Sequence, residues 1–277
     1  MANEASNSNL PFPVQVDLMS ETTRADINAA LERFAQRYPQ VAATLSDVVA
    51  IAPDEWHKIT SDKGNVGKFD APKGSDLDKD VCAFTSNSRS TAPRPLRDGT
   101  LSSITINVGL EDDVTKGFAR KVEQGCYVDV GLQDHPWQQI VAHELGHVVT
   151  AYVEAQPKGH EATSTLLMGL EVLNMLFPIS ISGARLGVEC IAEAFVQYDY
   201  TKPEDRRQYA IGIGAWLHSA GLTPVGETPV TKEDIAAGMT VDKLQSDAKA
   251  MQDRLAKAFA EPDMAPAASA DLGNVSA

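Results

Sequence analysis

Apolar residues recur along this chain with two periods, and the switches between them outline its elements. From Thr22 to Tyr38, Ile27, Ala30, Leu31 and Phe34 share one face at helical spacing. This predicts a helix capped by Thr22 or Thr23 and ended by Pro39. Asp47–Ala52 (DVVAIA), stopped by Pro53, and Val81–Thr85 (VCAFT) read as short strands. Leu101–Leu110 is a better one, because Ile104, Ile106 and Val108 alternate with polar residues. Asp112–Gln124 reads as a helix stopped by Gly125. In the apolar run Gln138–Val153, Val141, Leu145, Val149 and Tyr152 cluster on one side. Asp134 is placed to cap this helix, with Pro136 in its first turn. Glu161–Phe177 follows beyond Pro157-Lys158-Gly159, with a stripe of Leu166, Leu167, Leu170, Leu173 and Phe177. Then come helices over Gly187–Tyr198 and, after the break at Pro203, Arg206–Ala220.

The remaining segments lack a clear period. Residues 1–20, with Pro11 and Pro13, read as a flexible arm. Ser61–Ser75 and Thr85–Gly99 read as loops, Thr231–Phe259 as polar helix in two pieces split at Gly238, and residues 260–277, rich in Ala, Pro and Ser, as a disordered tail. The expected architecture is α+β, predominantly helical with a small mixed sheet. One domain covers residues 21–259, sheet-containing up to about residue 133 and helical from about residue 134.

Composition narrows the function more than the fold. A hydrophobic content of 43% is that of an ordinary globular protein. A formal charge of −14 argues against nucleic acid as a partner, since phosphate contacts need clustered Lys and Arg. The longest greasy stretch, Leu166–Gly183, holds Glu171, Asn174 and Pro178 and reads as a buried helix, so no membrane span is expected. Met1–Asn9 is polar and acidic, unlike a signal peptide. Cys82, Cys126 and Cys190 are odd in number and lack metal-site spacing, which fits a reducing compartment. The expectation is a cytoplasmic protein, or one exported by a signal-peptide-independent route. Oligomeric state has no signature here.

The chemistry lies in His143-Glu144-Leu145-Gly146-His147. Two histidines at i and i+4 on a helix stand one above the other, so both imidazoles reach one ion. Here they lie opposite the apolar side, so one face of the helix buries while the other lines a cleft. Glu144 stands beside the ion as a general base for water. Such zinc sites usually take a third protein ligand. The extended pattern with a third histidine is excluded, because Thr150 and Val153 occupy the positions that need Gly and His. The other histidines are His57, His135, His160 and His218. Glu189 is a better candidate. On the helix Gly187–Tyr198 it shares a face with Glu193, opposite Ile191, Phe195 and Tyr198, and two carboxylates one turn apart repel unless a cation or donor sits between them. Glu189 would then ligate, and Glu193 would hold a ligand histidine through its second ring nitrogen.

HELGH followed by Glu189-Cys-Ile-Ala-Glu193-Ala-Phe195 resembles the gluzincin arrangement. Ser180–Tyr198 is similar to the corresponding helix and lead-in of the catalytic domain of anthrax lethal factor and related bacterial and phage domains. The resemblance covers roughly Ile140–Tyr198 and centres on the two motifs. It implies a zincin-like fold, Zn²⁺ held by His143, His147 and Glu189, Glu144 as base, and a protein or peptide substrate that pairs with an edge strand, either Leu101–Leu110 or the strand before it. The family carries a Tyr on the stretch matching Ile181–Arg185, where it assists the transition state. This chain has none there. Arg185, Tyr198 and His218, along with Tyr152 and Tyr209, are candidates to replace it. The expected activity is zinc-dependent hydrolysis of peptide bonds. The alternative is a zinc-binding effector or structural domain with weak or no turnover.

Overall fold

Ser20, not Thr22 or Thr23, caps the first helix: its hydroxyl accepts from the Thr23 backbone N–H, and α1 runs Glu21–Arg37. The structure, a computed structural model, describes residues 10–61, 81–87, 96–176, 178–185, 187–238 and 240–260. The proposed loop Ser61–Ser75 beyond Ser61, most of the loop Thr85–Gly99 and the tail from Glu261 lie outside the described residues. The part of the expected arm that is described is packed instead. Phe12, Val16 and Met19 are buried, and β1 (Val14–Gln15) pairs in parallel with β2 (Leu45–Ile51). Pro11 and Pro13 hid the alternation of Phe12, Val14 and Val16.

A short helix α2 (Pro39–Ala42) joins α1 to β2. Pro53 does more than stop the strand. It opens α3 (Pro53–Ser61), where a missing N–H costs nothing in the first turn. β3 (Ala83–Asn87) and β4 (Ser102–Asn107) complete the sheet, whose order is β1-β2-β4-β3. β2 and β4 are parallel, and β3 runs antiparallel to β4. The segment Leu101–Leu110 is therefore interior, and among the described residues the strand before it forms one edge of the sheet. Its alternation does not reflect a solvated face, because every residue of β4 is buried. One side of the sheet joins the main core through Ile104 and Ile106. The other faces a second cluster of Val49, Ile51, Trp56 and Phe84. Beyond β4 the chain tightens into a 3-10 turn (Val108–Leu110), where the Asn107 side chain accepts from the Gly109 N–H.

The helical half follows with α4 (Glu111–Glu123), α5 (Pro136–Ala155), α6 (Gly159–Leu176), α7 (Ile181–Arg185), α8 (Gly187–Tyr200), α9 (Gln208–Ser219), α10 (Lys232–Gly238) and α11 (Val241–Ala260). The last two divide at Gly238 as expected. Asp134 does not cap α5. His135 takes that position without a side-chain cap bond, and its Nδ1 lies 2.9 Å from Asp26 Oδ1 on α1. Helix α5 runs through the centre, packed against α1, α6, α8 and β3. Val141, Val148, Val149 and Val153 are fully enclosed there. Helix α6 is less buried than its composition suggested: Met168, Val172 and Met175 are exposed along one face. Among the described residues no helix is long and apolar enough to cross a membrane.

Candidate metal centre

The site forms where α5 crosses α8. Gly146 lets the two helices meet. A Cβ on it would stand 2.8 Å from Ala192 Cα, closer than real side chains approach a backbone atom. That contact sets the α5 face bearing His143 and His147 directly over the α8 face bearing Glu189 and Glu193. The imidazole centroids are 5.1 Å apart, with the rings inclined at 77°. His143 Nε2 lies 2.9 Å from Glu189 Oε2, and His147 Nε2 lies 3.5 Å from Glu189 Oε1. One ligand atom from each of His143, His147 and Glu189 lies within 4.8 Å of the others, so the group can hold a metal ion. All three side chains are half-buried, which leaves them reachable from solvent.

Glu193 sits behind this group and is buried. Its Oε1 is 2.9 Å from His143 Nδ1, and its Oε2 accepts from the Val128 backbone N–H at 2.7 Å. The Val128 carbonyl accepts in turn from Gln139 on α5. With Nδ1 donating to the Glu193 carboxylate, it is the second ring proton, on Nε2, that faces Glu189, and its loss would leave a lone pair there for a metal. The donor chemistry fits a divalent ion of intermediate softness: two imidazole nitrogens, one carboxylate, and a second carboxylate that orients one imidazole.

The electrostatics of the cluster follow from its own charges. Burial disfavours a charged His143, but hydrogen bonds and attraction from Glu189 and Glu193 outweigh it and raise its pKa well above the ordinary histidine range. Burial works against the Glu189 carboxylate too, yet the hydrogen bond from His143, together with the charges of His143 and His147, lowers it to about 2. A cation between these groups would take over the neutralising role that the proton on His143 now plays.

Glu144, 7% exposed, points toward the sheet, where its Oε2 lies 2.7 Å from the hydroxyl of Thr85 on β3. Thr85 carried no sequence signal. It belongs to a strand read only from its apolar content, and nothing local couples it to α5. Val128 and Gln139 were missed for the same reason. Tyr127, stacked on Phe118 at 5.1 Å, was also missed. Burial pushes its hydroxyl up, and the charges of Glu193 and Glu144 add to this.

The candidates for the family's Tyr are not gathered here. Tyr198 is buried at the far end of α8, where its hydroxyl donates to Glu227 and Arg206 lies over its ring. Its position follows from the core face it shares with Ile191 and Phe195. Tyr209 donates to Asn174. His218 is exposed at the end of α9, with Thr223 as its partner. Tyr152 is half-buried further along α5. The Arg185 side chain lies outside the described residues. Among the other histidines, His135 pairs with Asp26, and His160 lies 3.9 Å from Glu154. Cys190, beside the proposed ligand, is an unsuitable nucleophile: burial, with Glu193 adding to it, pushes its thiol up to about 12. Compared with known proteins, the chain matches no family model, no curated protein and no solved structure.

Proposed function

We propose that this chain is a zinc-dependent metallopeptidase of gluzincin type with a zincin-like fold. The observation that carries the reading is the convergence of His143, His147 and Glu189, with Glu193 held against the Nδ1 of His143. Those three residues would hold Zn²⁺. When bound, the ion would supply a Lewis acid that polarises the scissile carbonyl and lowers the pKa of water toward about 7.

The chain's own groups account for the rest. β3 is the outermost strand on its side of the described sheet and packs on α5, so it is the strand of that sheet along which an extended peptide would pair. A peptide paired there passes alongside Glu144. Glu144 takes the proton of the attacking water as its oxygen adds to the carbonyl carbon. It then delivers that proton to the amide nitrogen as the C–N bond breaks. Glu193 keeps His143 oriented throughout.

A second reading, a zinc-binding domain with weak or no turnover, draws on the engagement of Tyr198 and Tyr209 elsewhere. Elemental analysis of purified wild type and Glu189→Ala, followed by screening with a fluorogenic peptide library, tests both. The proposal expects close to one zinc per chain, clearly less in the variant, and cleavage by the wild type. Full zinc without any cleavage favours the second reading. No zinc after reloading rejects both.

A further inference from the structure

One side chain reaches the proposed centre from a different layer of the fold. β3 alternates: Ala83 joins the core beneath α5, while Phe84 packs against Trp56 on the opposite face, with ring centroids 5.2 Å apart. Thr85 therefore falls on the α5 side. Its register is firm, because it pairs with Ile104, which is fully buried in β4, and a one-residue slip would turn Phe84 toward α5. The Thr85 hydroxyl oxygen lies 2.7 Å from Glu144 Oε2 and 3.0 Å from the Glu144 backbone carbonyl oxygen. A hydroxyl has one proton and can give it to only one of these acceptors at a time. The carbonyl lies mid-helix and is served by the next turn, whereas the carboxylate is charged and the stronger acceptor.

We propose that Thr85 is a positioning residue: its hydroxyl clamps the Glu144 carboxylate to the edge strand, in the orientation from which Glu144 acts as base. The inference rests on the peptidase reading for its kinetic consequence, but not for its geometry. The same clamp ties the base to the strand along which a peptide would pair. A substrate bound to β3 and the base that serves it thus share one rigid support.

The test compares Thr85→Val, which keeps the shape and removes the hydroxyl, with Thr85→Ser, which restores the hydroxyl. Thr85→Ala serves as a second hydroxyl-free variant if Val fails to fold. Zinc content, kinetics on the best-cleaved library peptide and crystal structures of the zinc-loaded proteins are compared with wild type. The expected result for Thr85→Val is a kcat lower by roughly ten- to a hundredfold, the loss expected when a reacting group is misplaced by about an ångström. KM and zinc content should be little changed, the Glu144 carboxylate should be turned away from β3, and Thr85→Ser should recover most of the loss. An unmoved Glu144 in the hydroxyl-free variants overturns the inference, as does a Ser variant as impaired as Val. If the wild type cleaves no peptide, the peptidase reading fails by itself. The crystal structures still decide whether Thr85 holds the carboxylate.

Discussion

Helix α8 carries an acidic cluster at each end, and the two differ in their cationic partners. Toward its start, Glu189 and Glu193 are met by the imidazoles of His143 and His147 and by one backbone N–H. Toward its finish, Asp199 accepts from the side chains of Arg33 and Arg37 and from the Tyr38 hydroxyl, while its backbone carbonyl takes a second nitrogen of Arg33. Glu227 extends this network, joining Arg37, Arg206 and Tyr198. Guanidinium keeps its proton at any working pH and has no lone pair to offer, so the second cluster is a permanent clamp between α1, α8 and the segment after α9. Imidazole can release a proton and then donate electrons. The first cluster can therefore exchange its internal neutralisation for a metal ion. Both clusters are acidic, and the choice of cationic partner sets them apart: one is a fixed clamp, and the other is a group that can hold a metal ion.

The sharpest way to break this comparison is Glu144→Gln. Cleavage should fall by roughly 10²–10⁴-fold, the usual weight of a general base, while zinc per chain and urea stability stay at wild-type values. Asp199→Ala probes the other end. It takes the carboxylate from Arg33 and Arg37, which keep the Asp199 backbone carbonyl and Glu227 as partners, so equilibrium urea unfolding should show a loss of about 1.5–3 kcal/mol, with zinc stoichiometry intact. A variant that loses zinc in proportion to stability would show that the two clusters are not separable. Glu193→Gln should weaken zinc binding about 10–100-fold in chelator competition, because the imidazole loses its charged partner, while the fold is kept. Unchanged affinity would remove Glu193 from the site.

The smallest effect is one of pH. Burial opposes the charge on Glu227, but hydrogen bonds from Arg206 and Arg37 hold its pKa down to about 2 against an ordinary 4.5. A carboxylate depressed in the folded state stabilises fully above its unfolded value and loses that contribution as pH falls through the folded one. Its share of stability is therefore present above 4.5 and declines as pH drops toward about 2. Over that window the urea midpoint of Glu227→Gln should fall less steeply than that of wild type. Parallel slopes would mean that the arginine clamp contributes nothing through Glu227.

What could be read without coordinates tracks how local each feature is. His143, Glu144 and His147 belong to one helix, and their common face follows from helical spacing alone. The pairing of Glu189 and Glu193 along α8 was legible for the same reason. So were the main helices and β4, each within a few residues of its observed bounds. Cap and turn details were not. Ser20 displaced Thr22 and Thr23, His135 displaced Asp134, and Pro53, the expected stop of the strand, also opened a helix that was not foreseen. Each of these depends on which of several competent neighbours meets the backbone once the chain is packed.

The sequence alone determined the period of each element, the shared face of the two histidines and the residue types that a metal would accept, because these depend on neighbours a turn or two apart. Only the tertiary structure decided that β3, rather than Leu101–Leu110, is outermost in the described sheet. It alone chose His143 as the histidine that Glu193 holds, 50 positions away, and placed Thr85 against Glu144 across 59 and Tyr198 in the arginine clamp rather than the cleft. These contacts rest on how closely two helices can approach at Gly146 and on the register of a strand, and no local rule fixes either.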